Sequence, residues 1–141
     1  MNEKTQEAKF KFQNFKIIKS VIELSDNDEK ISDSFKLHFT PKGSIVKNNN
    51  IFQLHLETSV QDENDVLNII VIAKADFMFS DSIEPNMLNN MFYVNAPAIL
   101  FPYIRAYIST LSTLSGIKAI TLPTMNLKSL GKKLSQNTKE V

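Results

Sequence analysis

His38 and His55 are the only imidazoles in the chain. Each falls in an alternating apolar–polar stretch, Phe35-Lys-Leu37-His-Phe39 and Phe52-Gln-Leu54-His-Leu56. Facing each other across neighbouring strands they could hold a metal ion. Two imidazoles with no cysteine or carboxylate beside them make a poor site, however, and the alternation turns both toward solvent. Asp62, Glu63 and Asp65 cluster like the paired carboxylates of acid–base catalysis. They stand between two strand-like runs, which makes them a solvated hairpin loop. Ser109, Ser112 and Ser115 lack the strand–turn–helix context that activates a serine. Gly43 and Gly116 stand alone, so there is no phosphate-binding loop. Lys128, Lys132 and Lys133 read as the solvated face of a helix near its C-terminal end, where the macrodipole favours cations. The chain has no cysteine, which removes disulfides, zinc–thiolate centres and thiol nucleophiles. The residue types that do chemistry are present but not assembled. No enzyme, no catalytic residue, no metal site and no cofactor is expected.

The chain that carries them has 141 residues, enough for one domain that buries roughly two-thirds of its unfolded surface. Its apolar share is 43% and its charged share 22%, ordinary for a globular protein. Sixteen basic and fifteen acidic side chains leave a net charge of +1, which offers no electrostatic footprint for nucleic acid. The polar N-terminus lacks the apolar region of a signal peptide. No apolar run approaches the ~20 residues that span a bilayer. A cytoplasmic protein is expected, with no nucleic-acid partner and no membrane insertion. Residues 1–9 and 135–141 read as flexible ends around a single domain over residues 10–134.

The first half of that domain reads as strands. Phe10-Lys-Phe12, Phe15-Lys-Ile17 and Ile22-Glu-Leu24 alternate, and the phase slips between them predict a bulge in one long strand. Phe35–Phe39 is a second strand, weakened by Pro41 and Gly43. Phe52–Val60 is a third. In Val66–Phe79, Leu67, Ile69, Val71, Ala73, Ala75, Phe77 and Phe79 share one face, and Ile70, Ile72 and Met78 the other. Apolar residues on both faces predict a central strand or a second packing partner. Four strands with hairpin-length turns predict a four-stranded antiparallel meander.

The second half reads as helices, which makes the fold α+β. Pro85–Tyr93 is a short amphipathic segment. Asn95 suits an N-cap and Pro97 the first turn of a long helix, which Gly116 ends. Met125–Leu134 is a short C-terminal helix with Leu127, Leu130 and Leu134 on one stripe. On the long helix, Phe101, Tyr103, Ile104, Tyr107, Ile108 and Leu111 spread apolar surface around most of the circumference. One sheet covers one side of a helix, so the other side needs a partner, most simply a second copy of the chain. Those six residues are the expected oligomer interface.

The stretch Asn95-Ala-Pro-Ala-Ile-Leu-Phe-Pro-Tyr-Ile-Arg105 resembles the signature of SecB, the bacterial export chaperone family, at the start of its long helix. Leu122 and Met125-Asn126-Leu127 are similar to the family's short motif before the last helix. The order of elements also resembles that family. The resemblance implies a homotetramer, a dimer of dimers, that holds unfolded client polypeptides in apolar grooves without ATP and keeps preproteins competent for translocation. It implies a groove made from Phe35, Leu37 and Phe39 of the second strand with Leu122, Met125, Leu127, Leu130 and Leu134. Export-type members dock the motor SecA through acids on the first and fourth strands. Glu23 matches one such acid, but Lys19 precedes it and the fourth-strand position falls near Val71. Other SecB-like proteins protect the antitoxin of a toxin–antitoxin pair, and that role fits equally.

Two readings stand beside these. Alternation by itself makes Phe35, Leu37 and Phe39 core residues. A small-molecule-binding α+β domain remains as a rival function, against which the scattered polar chemistry counts.

Overall fold

The protein was analysed as a computed structural model that describes residues 9–141. Residues 1–8, most of the expected N-terminal flexible segment, lie outside the described residues. Strand β1 spans Phe10–Leu24, β2 Phe35–Val46, β3 Ile51–Asp62 and β4 Leu67–Phe79. The alternation of the sequence becomes alternation of burial. Phe52, Leu54, Leu56, Thr58 and Val60 of β3 are buried and the residues between them are not. The same holds for the odd-numbered residues Leu67–Phe79 of β4.

The predicted meander needs two corrections. The sheet has five strands of mixed direction, in the order β1-β4-β3-β2-β5. Strand β5, Thr138–Glu140, lies in the stretch read as a tail and runs parallel to Gly43–Ile45 of β2. A three-residue strand carries too little pattern to stand out in sequence. The second correction concerns β1, which pairs with β4 rather than with β2, from Phe10 opposite Phe79 to Leu24 opposite Leu67. Residues 25–34 therefore cross the end of the sheet, and β4 lies inside the sheet between β1 and β3, as its two apolar faces predicted. The register of β1 slips between Phe12 and Asn14 and again between Ile17 and Lys19, where the phase of the sequence slips.

Pro41 has no N–H to offer a neighbour, and it sits on β2 just before β5 begins. Asn137 bridges this point. Its side-chain amide donates to the Pro41 carbonyl at 3.2 Å, and its own carbonyl accepts from the Gly43 N–H at 3.2 Å. Gly43 is tightly placed, because a Cβ there would lie 2.5 Å from Thr138 Oγ1 and 2.9 Å from the Phe52 ring.

Helix α1, Pro85–Asn90, starts after the extended residue Glu84 and runs through a π-type turn at Met91–Asn95 into α2, Ala96–Leu114. Asn95 is therefore not an N-cap. It has helical dihedrals (φ −75°, ψ −40°) and makes no side-chain cap. Pro97 cannot donate to the Tyr93 carbonyl four residues back, and the widened turn falls where that bond is missing. Helix α3, Leu130–Gln136, brings Gly131 against the same carbonyl, with room for a Cβ at only 3.1 Å. The predicted end of α2 holds. Gly116 has φ +85°, its N–H donates to the Thr113 carbonyl, and the Ile117 N–H reaches back to Ser112.

The core lies between one face of the sheet and the helices. Leu100, Phe101, Ile104 and Ile108 of α2 are buried there, with Leu122, Leu127 and Leu134 from the C-terminal segment. Phe52 and Phe92 stack with ring centroids 4.3 Å apart.

Candidate functional site

Sequence patterning cannot tell which side of α2 meets its own sheet. Phe101, Ile104 and Ile108 do, at 5%, 0% and 0% exposure. They fill the core, with Phe101 edge-on to Phe39, and so offer nothing to a partner. Of the six expected interface residues, Tyr103 is exposed and Tyr107 and Leu111 are half-buried. With Phe15, Ile17 and Leu114 these three line an open apolar depression of about 530 Å³. Phe12 and Phe15 of β1 pack against Tyr103 at ring-centroid distances of 5.3 and 5.0 Å. Ile17 and Phe15 were not singled out in sequence, because their apolar alternation looks the same whether a helix covers them or not.

The residues proposed for a peptide groove divide in the same way. Phe39, Leu122, Leu127 and Leu134 are buried in the chain's own core. Phe35, Leu37 and Leu130 are half-buried, and Met125 is exposed. Phe35 lies at a depression of about 480 Å³ between residues 25–34 and the connector after α2, with Ile31 and Ile120 beside it and Asp28, Asp33 and Lys118 at its edge. Ile31, an apolar residue at the end of a charged loop, is a signal that could have pointed there and was not read.

The connector that walls this groove has no regular structure, so its placement depends on two polar side chains of α2. Ser112 is fully buried. Its hydroxyl donates to the Ser109 carbonyl and accepts from the Ile120 N–H at 2.8 Å. Arg105 donates from Nε to the Leu122 carbonyl. Both interrupt the helix's apolar pattern, and both pin the wall of the groove.

The other wall rests on Asp62, which is buried rather than solvated. One carboxylate oxygen accepts from the N–H groups of Val66 and Leu67 at 2.8 and 2.7 Å, the other from Ser32 and Asn64 at 3.0 and 3.2 Å. Burial pushes this carboxyl up, but the N–H donors of Leu67, Ser32, Val66 and Asn64 outweigh it and hold it below the ordinary carboxylate range. Asp62 thus ties the crossing segment after β1 to the β3–β4 turn. Glu63 and Asp65 are exposed, as expected of a loop.

His38 and His55 do not meet. His38 stands opposite Ser59, and His55 opposite Lys42 and Lys74. Burial first, then Lys42 and Lys74, push the His55 imidazole down from its ordinary value. Among the described residues no group of three or more His, Asp or Glu side chains could hold a metal ion. No helix among them is long and apolar enough to cross a membrane.

The family model for the preprotein translocase subunit SecB matches residues 25–138. The chain belongs to the SecB family. Among solved structures it is similar to the Mycobacterium tuberculosis SecB-like chaperone in complex with a ChAD peptide from the HigA1 antitoxin. That match has 15% identity and a TM-score of 0.69, and covers 83% of this chain and 88% of the other. A protein of unknown function from Streptococcus agalactiae matches at 11% identity and a TM-score of 0.43, over 81% of this chain and 96% of that one. No curated protein matches the sequence.

In this SecB-family chain the signature segment is scaffold. Leu100 and Phe101 are core, and Arg105 holds the connector. Glu23, the SecB position expected to touch SecA, is exposed near the end of β1 opposite Asn68. Val71 is buried on the helix-facing side, so the outer face of β4 near it presents Ile70 and Ile72 instead.

Proposed function

We propose that this chain is an ATP-independent holdase. It binds unfolded polypeptide on apolar surface in the cytoplasm and does no chemistry of its own. The observation that carries this reading is the open depression at Phe35, where Phe35, Ile31, Ala119 and Ile120 lie among polar and charged side chains beside a connector without regular structure. Phe35 and Leu37 are left half-covered in a chain whose other inner-face strand residues are mostly buried. Apolar contacts are non-directional, so such a surface accepts many sequences. Family membership supports the same role. By the family resemblance, Leu37, Met125 and Leu130, which are exposed or half-buried, would belong to the same surface.

Self-association belongs to this reading. Tyr103, Tyr107, Leu111 and Leu114 form the apolar face that a second copy would cover, and a dimer of dimers follows from the family resemblance. A client-specific role is the second reading. It is favoured by the antitoxin peptide bound to the similar Mycobacterium tuberculosis chaperone, and here the client would be one partner such as an antitoxin rather than many preproteins. Glu23 alone is thin support for docking to SecA.

A labelled, permanently unfolded polypeptide titrated with the folded chain tests the proposal by fluorescence anisotropy. Saturable binding that is indifferent to ATP is expected. No binding at any accessible concentration would overturn it.

A further inference from the structure

The sheet's outer face carries a row of basic side chains that the apolar grooves do not use. In register across four strands stand Lys16 of β1, Lys74 of β4, His55 of β3 and Lys42 of β2. The three lysines are exposed, and none of them makes an ion pair among the described residues. Like charges directly opposite one another destabilise a sheet, yet Lys16 faces Lys74. The nearest acid along β4, Asp76, is held by the Gln53 amide at 3.0 Å. A shallow depression of about 200 Å³ opens among Lys42, Ser44, Gln53, His55 and Lys74. Lysines 11, 16, 19, 36, 42 and 74 all lie on this face, against Glu23, Glu57 and Asp76, in a chain whose net charge is only +1. Among the described residues of these four strands, positive charge is therefore in excess on this face.

We propose that this row docks an extended acidic polypeptide segment. Neighbouring strands are about 4.8 Å apart, so the cations form a line about 14 Å long. A line suits carboxylates spaced along an extended chain. It does not suit a single phosphate, which needs convergent donors, and the backbone N–H groups here are engaged in the sheet. No Phe, Tyr or Trp ring occupies this face of the four strands, so bases would lack a broad stacking platform. The site lies on the opposite side of the sheet from the apolar grooves, so an acidic partner and an unfolded client could be held together.

The test is fluorescence anisotropy of a labelled oligoglutamate peptide at low salt, with the wild type and a Lys16→Gln, Lys42→Gln, Lys74→Gln triple variant. These lysines are exposed, so the fold should survive, and circular dichroism checks that. The wild type should bind the peptide, added salt should release it, and the triple variant should bind roughly tenfold more weakly or worse. The variant should hold unfolded client as well as the wild type does. Absent peptide binding, or binding that persists in the triple variant, would overturn the proposal. So would equal or tighter binding of a thymidine oligonucleotide, or of vesicles containing anionic lipid. Loss of client binding with the peptide site intact would overturn the holdase reading and leave this site standing.

Discussion

Arg105, in the middle of α2, donates from Nε to the backbone carbonyl of Leu122, seventeen residues further along the chain. The last residue of the family signature thereby fixes the connector that borders the apolar groove. Ser112 does the same about two turns later on the helix, by accepting from Ile120. A recognisable helix segment acts on the proposed client surface without touching it.

Arg105→Ala should therefore leave a part-buried carbonyl without its donor and cost about 1–3 kcal/mol in chemical denaturation. Amide exchange should rise across residues 117–126 more than in β3 and β4. Uniform loss of protection across the chain would assign Arg105 to the global core instead.

Asp62 supplies a pH dependence. Its folded carboxyl titrates below the ordinary carboxylate value of 3.8, so the stabilisation is fully present above that value and is lost as pH falls through the lower, folded one. Asp62→Asn should flatten the acid limb of the stability curve, because an amide does not titrate, and should lower the neutral plateau, because its NH2 turns a donor toward N–H groups. Asp62→Ala should cost about 2 kcal/mol at neutral pH. An acid limb unchanged in the Asn variant would show that other carboxylates govern it.

Two substitutions on α2 separate core from interface. Ile104→Asp places a charge in the fully buried core and should prevent folding. Leu111→Asp should leave the circular dichroism spectrum native while lowering the mass seen by sedimentation. A wild-type protein that sediments as a monomer would remove the interface reading altogether.

Gly43→Ala tests β5. A Cβ would lie 2.5 Å from Thr138 Oγ1 and 2.9 Å from the buried Phe52 ring, so the Thr138 side chain must turn away from its bond to Leu134 and Thr138–Glu140 should lose more amide protection than β3 and β4. Retained protection at Thr138 would mean that the strand shifts and re-pairs.

Much of this architecture was legible in sequence where the signal is local. Phase slips in β1 marked its bulges, the doubly apolar β4 marked an interior strand, and Gly116 marked the end of α2. Non-local features were not legible. Nothing in β1 states that it pairs with β4 across a crossing segment, and β5 is too short to show a period. Asn95 satisfies the local rules for a cap, yet the helix upstream runs through it, because a π-type turn absorbs the bond that Pro97 cannot make. Asp62 looked solvated because its charged turn context hid two things that only the fold shows, the chain folding back to present Asn64, Val66 and Leu67 and the arrival of Ser32 from thirty residues away. The wheel of α2 showed apolar surface but not its direction. Ile104 and Tyr103 are adjacent in sequence, and one faces the sheet while the other is open.

The most direct measurement is light scattering of a chemically unfolded client diluted into buffer without nucleotide. Wild-type protein should suppress the aggregation at near-stoichiometric ratio. A folded Phe35→Ser, Met125→Ser variant should suppress it much less. Aggregation that proceeds unchanged beside the wild type, or suppression equal in wild type and variant, would contradict a holdase working through this groove.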